Sequence, residues 1–218
     1  ELKKYDAMDQ QHIVEQYKEL ADKYDQTLLN VIGYPDPSKV PEALEKLGIK
    51  KDAAILDFAC GTGLVGMYCK DKGYNNMVGI DASPEMLEKA KDRGYKELKE
   101  VFLGAGKFPT ELEGKFEVAV SAGALAKGHI APEFFDENVR CLKKIENEDD
   151  KRYMIFAIKE AYLDEPGYGE KLKELEDAGK IELVDKIKFS KYENAGKYGV
   201  DRFEPIPGCC FIYQVKNI

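Results

Sequence analysis

Two acidic residues and one loop of small residues are the groups of this sequence that could bind a polar ligand. Asp57 closes an apolar run and is followed by the loop Ala59-Cys60-Gly61-Thr62-Gly63, while Asp81 closes a second apolar run. Gly61 and Gly63 let the backbone bend sharply and let a ligand approach its N–H groups without a side chain in the way. A carboxylate at the position of Asp81 can accept hydrogen bonds from both hydroxyls of a ribose, as in nucleotide-binding units. The pattern therefore predicts a site for a nucleotide-like ligand.

The elements around these groups are predicted to be alternating strands and helices. Residues 53–57 and 77–81 are apolar runs typical of buried strands, and each precedes apolar residues at helical spacing. Ser83 and Pro84 have the residue types of an N-cap and a first helical position. Because the carboxyl ends of parallel strands lie at one edge of a sheet, both acids are expected there. The N-terminus of a helix would direct its free N–H groups toward a ligand at this edge.

The loop resembles motif I of class I S-adenosylmethionine-dependent methyltransferases, usually LD-x-G-C-G-T-G, with Ala59 in place of the first glycine. Residues 79–91, GIDASPEMLEKAK, resemble motif II of the same class, and residues 116–122, FEVAVSA, resemble motif IV. The resemblance covers nearly the whole chain, and it extends to the small methyltransferase-like proteins named for the Williams–Beuren syndrome region. It implies S-adenosyl-L-methionine as the cofactor and methyl transfer as the activity.

The resemblance also implies which residues hold the cofactor. Asp57 and the loop backbone would hold the methionine part, and Asp81 would hold the ribose. Met86 and Leu103 would border the adenine, although a glycine, at position 104, stands where the family often has an acid that bonds the adenine amino group. The predicted cofactor-binding residues are Tyr24, Asp57, Ala59, Cys60, Gly61, Thr62, Gly63, Asp81, Ala82, Met86, Leu103, Gly104 and Ser121.

Plainer interpretations of several of these residues stay open. From spacing alone, Tyr24 is a core-facing tyrosine on an amphipathic helix, and Asp81 is a solvated carboxylate at a strand end. Met86 fits ordinary core packing equally well. A histidine near the position of His129 acts as a base in some relatives, but a solvated or structural histidine is the better interpretation here. No residue is predicted to be a catalytic base.

The mechanism that the resemblance implies is an in-line displacement. The sulfonium of the cofactor is already an activated leaving group, so the protein mainly positions the acceptor and excludes water. The sequence has no N-P-P-Y, D-P-P-Y or Pro-Cys motif after residues 116–122, which removes the signatures of several acceptor classes. A small molecule or an exposed protein side chain is the expected acceptor, because the sequence has no large inserted domain.

Two other functions fit parts of the pattern. A non-catalytic module that binds S-adenosylmethionine or S-adenosylhomocysteine would share both motifs. An NAD-dependent oxidoreductase would share the strand, the loop and the ribose acid, but it needs the fingerprint G-x-G-x-x-G. Here Ala59, Gly61 and Gly63 take the small-residue places of the fingerprint, but Val65 breaks the pattern at the next offset. The third glycine is therefore predicted to be missing.

The order of the predicted elements indicates an α/β fold with a doubly wound, seven-stranded, mostly parallel sheet, an antiparallel edge hairpin and an N-terminal helical lid. We expect one domain over residues 1–218, with the lid in residues 1–47 and a Rossmann-like core in residues 53–218. Further strands are predicted at 97–103, 116–122, 153–158, 180–192 and 209–216, and helices at 39–47, 132–144 and 169–178. Another helix is predicted to begin directly after the loop, at Leu64 and Val65, and to be completed by residues 66–72. Residues 33–38 and 202–207 are predicted to be loops.

Composition and charge limit the function classes further. The net charge of −8 counts against nucleic acid as the main partner, because phosphate binding needs a basic face. No run approaches the roughly 20 apolar residues that span a membrane, and no signal segment is expected. Five cysteines without C-x-x-C spacing indicate reduced thiols in a cytoplasmic protein. His12 and His129 are too few and too far apart for a zinc site, so no metal is expected.

Overall fold

The fold is described from a computed structural model, which describes residues 34–104, 108–126, 130–147, 150–164, 167–192 and 206–216. The strands in these ranges are β1 Ile55–Phe58, β2 Met77–Asp81, β3 Tyr95–Glu100, β4 Val118–Ala122, β5 Arg152–Lys159, β6 Ile181–Lys191 and β7 Ile206–Val215. The α-helices in the same ranges are α1 Asp36–Lys46, α2 Leu64–Asp71, α3 Pro84–Ala90, α4 Phe134–Cys141 and α5 Tyr168–Asp177. The predicted helices of residues 1–32, with Tyr24 and His12, lie outside the described residues, as does His129.

The strand order confirms the predicted fold class. The described strands form one seven-stranded sheet in the order β3-β2-β1-β4-β5-β7-β6. Pairs from β3 to β5 are parallel, and β7 is antiparallel to both β5 and β6. The chain reverses its direction of travel across the sheet between β1 and β4, which makes this the topological switch point where ligands of such sheets bind. The carboxyl ends of β1, β2 and β4 therefore lie together at one edge.

Helices cover both faces of the sheet, which explains why the central strands are apolar on both sides. On one face, α1 and α2 pack through Val40 and Val65 against Ile55, Val118 and Ile155. On the other face, α4 and α5 pack on a cluster of aromatic rings, formed by Phe58, Phe108, Phe134, Phe135, Phe156, Tyr168, Phe211 and Tyr213. Alternate residues of the central strands β1, β4 and β5 thus belong to two separate cores, one on each face of the sheet.

The boundaries of the helices differ from the sequence prediction. α1 begins at Asp36, although the sequence predicts a loop over residues 33–38. Pro37 lies in the first turn of α1, where a helical N–H has no carbonyl partner and a proline is tolerated. α2 begins at Leu64, where the sequence predicts the first helical turn after the loop, and Gly63 is its N-cap. α4 is shorter than the predicted 132–144, because the residue after Cys141 bridges to Phe116 in extended conformation.

Two strands also begin two or more residues earlier than predicted. β3 starts at Tyr95 rather than residue 97 and ends at Glu100. β7 starts at Ile206, within the segment predicted to be a loop. β5 ends opposite Gly208, so at Pro207 the strand β7 has a partner on one side alone, where a residue without an N–H is tolerated. Within the described residues, no helix is both long enough and apolar enough to cross a membrane.

Candidate ligand-binding site

The loop after β1 is shaped by three residues with positive φ, which are Ala59 (52°), Gly61 (53°) and Gly63 (89°). The N–H of Gly63 donates to the carbonyl of Cys60 at 2.9 Å and closes the turn. The N–H of Cys60 donates to the carbonyl of Ile80, also at 2.9 Å, and ties the loop to β2. The loop is therefore a fixed left-handed turn that leads directly into the N-terminus of α2.

Asp81, at the end of β2, holds two loops together. Its Oδ2 accepts the N–H of Gly61 at 2.8 Å, and its Oδ1 accepts the N–H of Ser83 at 2.9 Å. Burial raises the pKa of the Asp81 carboxyl, while the N–H donors of Ser83, Gly61 and Ala82 act in the opposite direction. Each carboxylate oxygen has a second lone pair, so the group can still accept hydrogen bonds from a ligand.

The start of α3 confirms the predicted cap. Ser83 is the N-cap residue, its Oγ accepts the N–H of Met86 at 3.3 Å, and Pro84 is the first helical residue. Ala82 lies between Asp81 and this cap and is partly buried. The cap therefore fixes the start of α3 relative to the Asp81 carboxylate.

Asp57 lies within β1, beneath the loop, and its side chain is fully buried. Its Oδ2 accepts a hydrogen bond from the hydroxyl of Tyr95 at 2.6 Å. Its Oδ1 has no hydrogen-bond partner among the described residues. Burial raises the pKa of Asp57 to about 8, the bond from Tyr95 opposes the rise, and the nearby charge of Asp81 adds to it. The carboxyl group is thus held behind the loop rather than on its open side.

A small cavity of about 40 Å³ lies on the open side of the loop. It is lined by Tyr34, Pro37, Ala59, Cys60, Gly61, Thr62, Leu64, Val65 and Ala122. The ring of Tyr34 reaches the end of β4, where a Cβ built on Gly123 (φ 73°) would lie 1.5 Å from the Tyr34 hydroxyl oxygen. The cavity therefore lies between the loop of β1 and the end of β4, and Tyr34 forms part of its wall.

Of the predicted site residues, Ala59, Cys60, Gly61 and Thr62 line this cavity, and Asp81 accepts the N–H of Gly61 in the same loop. The other described ones lie outside its lining, namely Asp57, Gly63, Ala82, Met86, Leu103, Gly104 and Ser121. The side chains of Met86, Leu103 and Ser121 are 2%, 6% and 1% exposed, so they are packed in the interior. The structure brings the loop and Asp81 together, as predicted from their positions at two strand ends.

The carboxylate of Glu137, on α4, contacts the backbone of Gly104. Its Oε2 accepts the N–H of Gly104 at 3.0 Å, and its side chain is buried. Burial raises the pKa of Glu137, while the hydrogen bond from the N–H of Gly104 and the positive charge of Arg140 act to lower it. The segment after β3 is thus held by a carboxylate from another element, and the sequence signal for it is an acid on the apolar face of a helix.

Tyr95 and Tyr34 are the other residues near the site that the sequence analysis missed. Tyr95 was hidden by its charged neighbours in β3, yet three glycines elsewhere in the chain are packed against its ring. Tyr34 directly precedes a Pro-Asp-Pro segment, which masks its place at the start of a helix. Both contacts join residues far apart in sequence, so no local pattern reveals them.

The glycine fingerprint needs a correction. The prediction that its third glycine is missing is wrong, because Gly61, Gly63 and Gly66 have the spacing G-x-G-x-x-G. In the structure, a Cβ on Gly66 would lie 2.4 Å from Cζ of Tyr95, so this glycine allows α2 to pack closely on the sheet. That is the role of the third glycine in dinucleotide-binding folds. The loop spacing alone therefore does not separate a methyltransferase from a dinucleotide-binding protein.

Comparison with known proteins distinguishes a methyltransferase from a dinucleotide-binding protein here. A family model described as a methyltransferase domain matches residues 55–145. Methyltransferase-like protein 27 of Homo sapiens is 36% identical over 117 residues, which are 52% of this chain and 47% of the relative. The 18S rRNA (guanine-N(7))-methyltransferase of Bos taurus is 41% identical over 86 residues, which are 38% of this chain and 30% of the relative. The matched segments thus span less than half the length of these curated relatives.

A solved structure gives the same result for the fold. The crystal structure of a SAM-dependent methyltransferase from Thermotoga maritima superposes with a TM-score of 0.61 at 15% identity, covering 92% of this chain and 98% of that chain. Residues 55–145 thus match a methyltransferase domain, and the sheet and helices have the fold of that solved structure. The predicted fold class is confirmed, and the methyltransferase domain that the resemblance implied is matched over residues 55–145.

The residues of the site fit S-adenosylmethionine as a cofactor. A Cβ built on Gly61 would meet no atom within 4 Å, so the loop backbone is open to close approach by a ligand. The Asp81 carboxylate beside the loop suits the hydroxyls of a ribose. Among the described residues, no group of three or more His, Cys, Asp or Glu side chains could hold a metal ion.

Replacing Ala59 with Gly is expected to raise the free energy of unfolding by about 1 kcal/mol. A residue with a Cβ at a φ of 52° is in the left-handed region, which costs about 1–2 kcal/mol, and glycine removes most of this cost. Chemical denaturation measures the change. The matched control is Ala54→Gly, at a position just before β1 without positive φ, which is expected to be destabilising. A similar loss of stability in both variants would contradict the account.

Proposed function

We propose that this protein is an S-adenosylmethionine-dependent methyltransferase. The observation that supports it most is the junction of the β1 loop with Asp81, whose carboxylate accepts the N–H of Gly61 at the carboxyl edge of the sheet. This junction lies in a domain of methyltransferase class, at the switch point between β1 and β4. The methyl acceptor would be a small molecule or a protein side chain.

Each part of the site would hold one part of the cofactor. The backbone of residues 59–63 would receive the methionine end, with Asp57 supporting the loop from beneath. The Asp81 carboxylate would accept hydrogen bonds from the ribose hydroxyls. Met86, Leu103 and the backbone of Gly104 would border the adenine. Tyr24, Ala82 and Ser121 would complete the site from the lid, from the start of α3 and from the end of β4.

The reaction would be an in-line displacement in which the protein mainly positions its reactants. The cofactor supplies a methyl group on a sulfonium, which is already an activated leaving group. The chain's own residues bind and orient, since Gly61 leaves space for close approach and Asp81 keeps the loop in one conformation. Tyr34 and Pro37 would exclude water from the cavity beside the loop. The proposal assigns no general base.

Titration calorimetry with S-adenosylmethionine and S-adenosylhomocysteine tests the proposal. The wild-type protein is expected to bind both, and Asp81→Asn is expected to bind them about 10- to 100-fold more weakly, as expected for a lost hydrogen bond to a charged group. The control is Asp71→Asn, an exposed aspartate at the far end of α2, which should bind as wild type does. A melting temperature for each variant separates loss of binding from loss of fold. Absence of binding by the wild-type protein would refute the proposal.

Two alternatives give different results in the same experiments. A non-catalytic module would bind S-adenosylmethionine but release no S-adenosylhomocysteine with any acceptor. An NAD-dependent oxidoreductase would be stabilised by NAD in a thermal-shift assay and would not bind S-adenosylmethionine. The glycines at 61, 63 and 66 make this second control necessary.

The acceptor screen should include nucleic acid. The net charge of −8 favours a small molecule or protein, but a relative is named as an 18S rRNA methyltransferase, so the charge argument alone does not exclude RNA. We further propose that residues 1–218 are a single domain in which residues 1–47 form a lid on the core of residues 53–218. A cytoplasmic location is proposed from five cysteines that are all free and buried.

A further inference from the structure

The ring of Tyr95 occupies a space that three glycines leave open. A Cβ on Gly66 would lie 2.4 Å from Cζ of Tyr95, one on Gly79 would lie 3.0 Å from Cδ1, and one on Gly63 would lie 3.1 Å from Cε2. These glycines come from α2, from β2 and from the N-cap of α2. The ring is therefore inserted between the sheet and the helix, and the surrounding backbone is built to receive it.

The hydroxyl of Tyr95 makes two hydrogen bonds at this place. It donates to Oδ2 of Asp57 at 2.6 Å, and it accepts the N–H of Gly66 at 3.0 Å. Gly66 is the third residue of α2, and the N-cap, Gly63, has no side chain with which to cap the helix. The first N–H groups of a helix need partners from outside it. Tyr95, from β3, supplies one of them.

The two bonds join the elements on either side of the cofactor loop. Asp57 lies in β1, directly before the loop, and Gly66 lies in α2, directly after it. We propose that Tyr95 is the positioning residue of this loop, holding its two ends at one distance so that residues 59–63 keep the conformation that receives S-adenosylmethionine. This inference rests on the proposed function. Tyr95 acts through Asp57 and α2 and does not line the cavity.

The hydrogen bond from Tyr95 also affects the protonation of Asp57. The Tyr95 hydroxyl lowers the pKa of Asp57, which burial otherwise raises to about 8. The other titratable groups facing this carboxyl are Asp81 on β2, Cys60 in the loop and Cys69 on α2. Their own pKa values are raised by burial, so the two thiols stay neutral near pH 8. Removing the Tyr95 hydroxyl therefore raises the pKa of Asp57 further.

Tyr95→Phe tests the inference by titration with S-adenosylmethionine across pH 6 to pH 9. The variant is expected to bind about 10-fold more weakly at pH 9, where Asp57 of the wild type is ionised, as for the loss of one hydrogen bond to a charged group. An ionised Asp57 favours a cationic ligand, so affinity should rise with pH through the pKa of Asp57. The midpoint of that rise should move to higher pH in the variant. A loss of packing alone would weaken binding equally at every pH.

The matched control is Tyr74→Phe. Tyr74 is fully buried, and its hydroxyl donates to the carbonyl of Ile49 at 3.4 Å, which is not a residue of the loop. This variant also loses one tyrosine hydroxyl and should bind with the affinity and pH midpoint of wild type. If Tyr95→Phe also keeps both wild-type values, the inference is overturned.

A second measurement does not depend on a ligand. Amide hydrogen exchange of Gly66 in the ligand-free protein is expected to be about 10-fold faster in Tyr95→Phe, because its N–H loses its partner. Tyr74→Phe should leave it unchanged. Unchanged exchange in Tyr95→Phe overturns the inference even if S-adenosylmethionine binds. Failure of wild type to bind S-adenosylmethionine refutes the proposed function, whereas the Gly66 exchange rate still decides whether Tyr95 holds α2.

Discussion

Replacing Lys191 with Met is expected to lower the free energy of unfolding by about 3–5 kcal/mol at pH 8. The Nζ of Lys191 lies 2.6 Å from Oδ2 of Asp36, and the side chains are 5% and 0% exposed. Removing one partner of a buried ion pair leaves the other charge unpaired in the interior, which is what makes such changes costly. The rings of Tyr34 and Tyr192 flank the ammonium at 5.1 and 5.5 Å and would lose this cation–π contact too.

The loss of stability should be smaller at pH 5 than at pH 8. Burial raises the pKa of Asp36, and Lys191 opposes the rise, so the pKa is higher still in the variant. At pH 5 a larger fraction of this carboxyl in the variant is protonated than at pH 8, and the protonated fraction carries no unpaired charge. Denaturant unfolding at both pH values measures this difference.

The control for this prediction is Lys173→Met on α5. Lys173 pairs with Asp177 at 3.0 Å, but the two side chains are 72% and 65% exposed, and exposed pairs contribute little. The control is expected to change stability far less and without the same pH dependence. If Lys191→Met is no more destabilising than this control at pH 8, the pair does not hold α1 to the end of β6.

Replacing Gly123 with Ala is expected to have the second largest effect, through Tyr34. The new Cβ would lie 1.5 Å from the Tyr34 hydroxyl oxygen, so the tyrosine must leave its place beside the loop of β1. The φ of 73° adds the strain of the left-handed region. We expect about 1–2 kcal/mol from the strain and about 1–3 kcal/mol more from the displaced ring, measured by denaturant unfolding.

Gly114→Ala separates these two causes. Gly114 has a φ of 63°, and a Cβ there would meet no atom within 4 Å, so its substitution adds strain alone. The difference between the two variants is the cost of moving Tyr34, and it should vanish when both are made on a Tyr34→Ala background. Equal destabilisation by Gly123→Ala and Gly114→Ala in the wild-type background would mean that Tyr34 is not held at the end of β4.

The parts of the fold that could be predicted are those with a local signal. The acid at the end of β2 and the cap at Ser83 follow from an apolar run and a Ser-Pro pair, and the structure has both at the predicted residues. The loop of β1 is equally local, because its glycines need positive φ. The start of α1 has no such local signal, because Pro-Asp-Pro is compatible both with a loop and with a first helical turn. The packing of α1 on α2 and on the sheet decides between the two.

The contacts that shape the site could not be predicted, because each joins residues far apart in sequence. Lys191 and Asp36 are 155 residues apart, and neither lies in a pattern that predicts burial. The bond of Tyr95 to Asp57 crosses from β3 to β1, over the intervening β2. The glycine at 66 was the available signal, because a glycine in a helix costs stability unless close packing requires it.

A crystal structure of the protein with S-adenosylhomocysteine tests the central claim most directly. The account predicts that the homocysteine part lies against the backbone of residues 59–63. It also predicts that the ribose hydroxyls lie within hydrogen-bond distance of the Asp81 carboxylate. A ligand bound at another edge of the sheet, or a ribose held by a residue other than Asp81, would contradict the account.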